Sequence, residues 1–124
     1  MSLLLDTHVV LWWRLDSRRL HADARRLIEI DDLVFVSAAS GWEVAVKVGR
    51  GRLRLKDPFS GLVEASGFRK LPVTFEHTER LADLPRHHGD PFDRMLVAQA
   101  QVEGLTLVSH DRALEPYGVP VIWT

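Results

Sequence analysis

The hydrophobic pattern changes period several times along the chain, and each change marks an element. Met1 to Leu5 is an apolar run that stops at Asp6-Thr7, which predicts a buried strand turning into a helix. Val9 to Trp13 is too continuously apolar for an exposed helix. From Leu20 to Ile30, the apolar residues Leu20, Ala24, Leu27 and Ile28 recur at helical spacing, and Asp31-Asp32 breaks the pattern. Leu33 to Val36 is β-branched and aromatic, and reads as a second buried strand. Ser37 to Val48 reads as a helix with Trp42, Val46 and Ala45 facing inward, ended by Gly49 and Gly51.

Pro58 to Ala65 predicts a helix with Pro58 at its first position. Lys70 to Val73 is a third short strand, and Phe75 to Leu84 a helix closed by Pro85. Asp90-Pro91 opens a helix through Val102, with Met95, Leu96, Ala98 and Ala100 apolar and Gly104 as its cap. Leu105 to Val108 is a fourth strand and Asp111 to Leu114 a helical turn. Val119 to Trp123 is a last strand, which Pro120 demotes to an edge. Strands alternating with helices argue an α/β fold with a mostly parallel sheet and helices on both faces. Sites in such sheets lie off the carboxyl ends of the strands, which directs attention to Asp6, Ser37–Glu43 and Ser109–Asp111.

The 124 residues suit one domain spanning positions 1–124, and 46% apolar with 27% charged residues argues against disorder. There is no cysteine, so thiol chemistry and a disulfide scaffold are excluded. No apolar run approaches the ~20 residues of a membrane span, and the N-terminus lacks a signal peptide's basic region. A cytoplasmic protein is expected. Sixteen basic and seventeen acidic side chains give a net charge of −1, so the total carries no attraction for nucleic acid. Locally, Lys47, Arg50, Arg52, Arg54 and Lys56 fall in ten residues without an acid. The stretch reads either as a solvated loop or as a phosphate-backbone contact.

Three acids, Asp6, Glu43 and Asp111, follow predicted strands closely, so their side chains can converge on one sheet edge. Asp93 lies in the first turn of the Asp90 helix, and strand logic does not bring it to the others. Each acid alone also has a structural reading, because carboxylates cap helix starts. Ser40-Gly41-Trp42-Glu43 matches the capping box S-x-x-E, and Asp90-Pro91-Phe92-Asp93 matches N-cap, N1 and N3. Asp6 lies between apolar stretches, where an ionised carboxylate needs a partner. Several carboxylates on one edge repel, and a hard dication relieves the repulsion; all-oxygen ligation suits Mg²⁺ or Mn²⁺ rather than Zn²⁺. The six histidines form no H-E-x-x-H motif and read as unspecialised. No G-x-S-x-G elbow, P-loop or dinucleotide fingerprint is present.

Four segments together resemble the PIN-domain nucleases, and among them the VapC-like toxins of bacterial toxin–antitoxin pairs. They are Leu3-Leu4-Leu5-Asp6-Thr7-His8, Val36 to Glu43, Asp90-Pro91-Phe92-Asp93-Arg94 and Leu107-Val108-Ser109-His110-Asp111. The resemblance runs from Leu3 to Trp123. It implies a central parallel sheet of about five strands flanked by helices. It implies a site of Asp6, Glu43, Asp93 and Asp111 around Mg²⁺ or Mn²⁺, supported by the hydroxyls of Thr7 and Ser109, with Asp90 left as an N-cap and no role for His110. It further implies an endoribonuclease acting on RNA, a cognate antitoxin that blocks the site, and a possible homodimer. Trp12, Trp13 and Trp42 offer a groove for the antitoxin, or ordinary core. A non-enzymatic module whose acids are caps is the competing reading. A receiver-like phosphoacceptor domain fits less well, since no Asp follows the Lys70 strand and no Lys follows the last.

Overall fold

The computed structural model describes residues 2–31 and 33–124. Met1 and Asp32, which the sequence reading puts in the first strand and in the break after the second helix, lie outside the described residues. Five strands form one sheet: β1 (Leu3–Leu5), β2 (Val34–Ser37), β3 (Arg69–Leu71), β4 (Thr106–Ser109) and β5 (Val121–Trp123). Six α-helices lie between them: α1 (Thr7–Arg14), α2 (Ala22–Ile30), α3 (Ala38–Gly49), α4 (Phe59–Ala65), α5 (Phe75–Asp83) and α6 (Pro91–Glu103). A 3₁₀ turn covers Arg112–Tyr117.

Every strand pair is parallel and the order is β3-β2-β1-β4-β5. The order reverses direction between β1 and β4, so the crevice beyond their carboxyl ends is the switch point where α/β sheets bind ligands. β1 is the central strand, and Leu3, Leu4 and Leu5 are wholly inaccessible to solvent. Its alternation splits the interior in two. Leu3 and Leu5 join a core with Val9, Val10, Ala24, Ile28 and Leu62. Leu4 joins the opposite core with Leu96, Val97, Leu107 and Leu114. Helices therefore cover both faces, and truncating Leu4 to alanine costs about 2–5 kcal/mol.

The element borders follow their caps. Asp90 accepts the amides of Phe92 and Asp93, Pro91 begins α6, and Gly104 ends it in the left-handed conformation at φ 67°. Thr74 and His77 form a reciprocal capping box at the start of α5. β3 begins and ends earlier than the hydrophobic pattern predicts, at Arg69–Leu71 rather than 70–73, because Pro72 cannot donate to the ladder. β4 runs one residue later, through Ser109, and β5 starts only after Pro120 as an edge strand. Pro58 is the residue before α4 rather than its first residue.

Two expectations for α3 are corrected. Its N-cap is Ser37, whose hydroxyl accepts the Ala39 amide, so the Ser40–Glu43 capping box does not form. Its buried stripe is Ala39, Ser40, Glu43 and Val44, which leaves Ala45 exposed and Trp42 62% exposed rather than inward. The stripe facing the interior carries polar groups because it faces the acidic edge of the sheet.

Candidate active site

Asp6 terminates β1 and caps α1. Its Oδ1 accepts the amides of His8 at 2.8 Å and Val9 at 3.3 Å. Its Oδ2 accepts the Ser109 hydroxyl at 2.7 Å across the β1–β4 switch point. Ser109 in turn accepts the Asp111 amide at 3.1 Å, so one hydroxyl fixes Asp6 and the start of the turn bearing Asp111. Asp6 and Ser109 are both buried.

Glu43 reaches the same edge from α3 and is buried. Two groups support it. Thr7 Oγ1 lies 2.7 Å from Oε1, and Lys47, one helical turn on, lies 2.9 Å from Oε2. Thr7 Oγ1 also lies 2.9 Å from the buried Ser40 hydroxyl. Thr7 has one proton, and the carboxylate is the stronger acceptor, so Ser40 supplies the proton of the second bond. Lys47 thus spends its ammonium on Glu43, while Arg50, Arg52, Arg54 and Lys56 beyond it are exposed.

Asp93 arrives from the first turn of α6. Burial raises its carboxyl, and the charges of Asp90, Asp6 and Glu43 raise it further, to about 7 against the partial relief of His88. That coupling joins three of the four acids proposed from sequence. Asp111, at the start of the 3₁₀ turn, is held below its ordinary value. Burial opposes the shift, but the Ala113 amide and His88 outweigh it.

The residue that sequence reasoning missed is His88. Its Nε2 lies 2.8 Å from Asp111 Oδ2 and 3.2 Å from Asp93 Oδ2. His88 precedes Asp90 in an irregular segment, where no periodicity announces the direction of a side chain. His110 is also closer than expected, with Nδ1 3.8 Å from Asp6 Oδ2 and its ring edge-on to those of His8 and Trp12. Among the described residues, two sets of three ligand atoms lie within 4.8 Å of one another: Asp6–His8–His110 and His88–Asp93–Asp111. Asp6, Asp90 and Asp111 all cap helical turns as well, so the capping reading and the clustering both hold. Trp12 and Trp13 pack partly buried against the core, whereas Trp42 stands at the surface, edge-on to Phe92 at 4.9 Å.

The PIN domain family model matches residues 3–119. The chain belongs to the PIN domain family. It is 33% identical over 122 residues to Ribonuclease VapC22 of Mycobacterium tuberculosis, covering 96% of this chain and 94% of that one. Its fold is similar to VapBC2 from Rickettsia felis bound to a promoter DNA fragment, at TM-score 0.73 and 13% identity over 98% of both chains. It is also similar to DNA-bound VapBC from Salmonella typhimurium, at TM-score 0.71 and 18% identity over 98% of this chain and 97% of that one. The PIN fold of this chain thus carries its acids at the crevice that the sheet order creates. Among the described residues no helix is long and apolar enough to cross a membrane.

The donor set fits a hard divalent cation. Asp6, Glu43, Asp93 and Asp111 offer carboxylate oxygens, and the two clusters add ring nitrogens of His8, His110 and His88 beside them. Burial first, and then the charges of Asp90, Asp6 and Glu43, raise the Asp93 carboxyl to about 7, and a bound cation would offset that negative charge.

Proposed function

We propose that this PIN-domain protein is a divalent-metal-dependent endoribonuclease, the toxin of a toxin–antitoxin pair, with the whole chain acting as one catalytic unit. The observation that carries the reading is the gathering of acids at the sheet's switch point, with Asp6 and Glu43 buried on one side and Asp93 and Asp111 joined through His88 on the other. The relationship to Ribonuclease VapC22 supports RNA as the substrate, and the VapBC neighbours support a protein antitoxin as partner.

Asp6 and Asp93 would hold a Mg²⁺ or Mn²⁺ ion, with Glu43 and Asp111 completing its surroundings. When bound, such an ion supplies a water nucleophile at neutral pH and stabilises charge on the phosphoryl oxygens. The chain's own residues supply the rest. Ser109 and two amides keep Asp6 from rotating, and Thr7 aims Glu43 at the edge where an attacking water must be oriented. Exposed Arg50, Arg52, Arg54 and Lys56 would meet the RNA backbone. With water attacking phosphorus and the ribose 3′ oxygen leaving and taking up a proton, the products would carry 5′-phosphate and 3′-hydroxyl ends.

The test is RNA cleavage by purified protein with Mn²⁺, against Asp6→Asn. Asparagine still offers an oxygen to cap α1, so the comparison tests the charge together with the acceptor that Asp6 presents to Ser109. Wild type should cleave and the variant should not. Equal cleavage by both, or products ending in cyclic phosphate, would overturn the mechanism. Suppression of cleavage by a co-encoded small protein supports the toxin assignment.

A further inference from the structure

We infer that His88 is a positioning residue, whose Nε2–H clamps Asp111 to Asp93 and so sets the geometry in which the ion is held. The inference rests on the metal-dependent reading above. Its grounds are five contacts. Nε2 faces Asp111 Oδ2 at 2.8 Å and Asp93 Oδ2 at 3.2 Å. Nδ1 accepts the backbone amide of Asp90 at 3.3 Å. The His88 amide donates to the Tyr117 hydroxyl at 3.1 Å, and the His87 ring stands edge-on to Tyr117.

The Nδ1 contact decides the role. An amide hydrogen aimed at Nδ1 requires a lone pair there, so the neutral ring carries its proton on Nε2. Nε2 is then a donor to two carboxylates and has no lone pair to offer a metal. The ring therefore does not add a nitrogen ligand to Asp93 and Asp111. It ties together two carboxylates that come from different elements, the first turn of α6 and the 3₁₀ turn after β4. Tyr117 anchors the segment that carries the ring to that same 3₁₀ turn. Among the described residues, Asp111 has no buried hydroxyl donor comparable to Thr7 on Glu43 or Ser109 on Asp6. Its side chain is held by the Ala113 amide and by His88. The imidazole thus does for the less buried acids what hydroxyls do for the fully buried ones, as supporting partners of metal ligands commonly do.

The test uses two amide variants with Mn²⁺ binding as the readout, followed at pH 8 by the electron paramagnetic resonance of free Mn²⁺. His88→Gln places its amide nitrogen near the Nε2 position and keeps the donor. His88→Asn reaches only the Nδ1 position, where its oxygen can still accept the Asp90 amide and preserve the segment. We expect His88→Asn to weaken Mn²⁺ binding about 10–100-fold and His88→Gln to recover most of that loss, with similar metal-free melting temperatures. Asn and wild type binding Mn²⁺ equally would overturn the inference. So would a ¹⁴N hyperfine coupling on bound Mn²⁺ that vanishes in His88→Gln, because it would make His88 a ligand. If wild type binds no Mn²⁺, the metal reading itself fails, and this inference falls with it.

Discussion

The two sides of the acidic crevice are built differently. On the β1–α3 side, Asp6 and Glu43 are buried, and each is fixed by a buried hydroxyl: Ser109 on Asp6 and Thr7 on Glu43. On the α6 side, Asp93 and Asp111 are partly exposed and meet through the partly buried ring of His88. The first side is set by the same sheet contacts that fold the protein, since its donors sit at strand ends and in the first turn of α1. The second side is assembled from a helix start, a short turn and an irregular segment. One half of the site is preorganised by the fold, and the other half needs its own fastening. Activity should therefore be most sensitive to charge on the buried half, and metal affinity to fastening on the exposed half.

The largest effects should come from Asp6. Asp6→Ala and Asp6→Asn should each reduce Mn²⁺-supported RNA cleavage by more than the ~10–100-fold expected for losing a supporting partner. Only Asp6→Ala should also cost about 1 kcal/mol in urea unfolding, because it alone removes the cap. Thr7→Val comes next. It strips Glu43 and Ser40 of their shared partner, and should cost about 1–3 kcal/mol of stability and roughly 10–100-fold in cleavage. If Thr7→Val cleaves normally, the buried side is not preorganised by its hydroxyls.

pH sharpens the comparison without mutation. Asp93 titrates at about 7 in the folded protein, well above its ordinary 3.8. Between those values the folded protein keeps a proton that the unfolded chain has released, so stability falls as pH rises through that window. His88 is also raised. Burial opposes its charge, but Asp111, Asp93 and Asp90 outweigh it, so its contribution is present below pH 6.5 and is lost above. Metal-free melting temperature should therefore fall from pH 5 to pH 8, and added Mn²⁺ should raise it more at pH 8 than at pH 5. An equal Mn²⁺ shift at both values would mean that the ion does not meet Asp93. Asp111, lowered, acts at the opposite end and withdraws stability only as pH drops below about 3.8. The smallest effect should be that of Arg50→Glu with Arg52→Glu, exposed side chains that touch none of the acids. It should weaken RNA binding and flatten the slope of log affinity against log salt by about 0.7 for each lost phosphate contact.

Much of this was legible in the sequence where local chemistry and tertiary position agree. The run Leu3–Leu5 followed by Asp6 gave strand, cap and crevice together, and Asp90, Pro91 and Gly104 bracketed α6. Legibility failed where a buried face is polar. The S-x-x-E pattern at Ser40 suggested a cap, but β2 ends at Ser37, which takes that role three residues earlier. Ser40 and Glu43 then turn inward, and hydrophobic matching chose Trp42, on the wrong side of α3. The strand-end rule also could not deliver Asp93, which follows a loop. Family resemblance placed it in the site, and packing of α6 on the sheet, with its first turn beside α3, accounts for the position. His88 was read as unspecialised because its direction is set by Tyr117 and Asp90, contacts that no local pattern encodes.

The bond from Ser109 to Asp6 joins residues 103 positions apart. During synthesis, Asp6 emerges well before its partner exists. At ~5–20 residues per second, that interval lasts about 5–20 s. Throughout it, the central strand lacks its β4 neighbour and the crevice has only one wall. The crevice gains its second wall, and with it the fixed position of Asp6, only once β4 has been made.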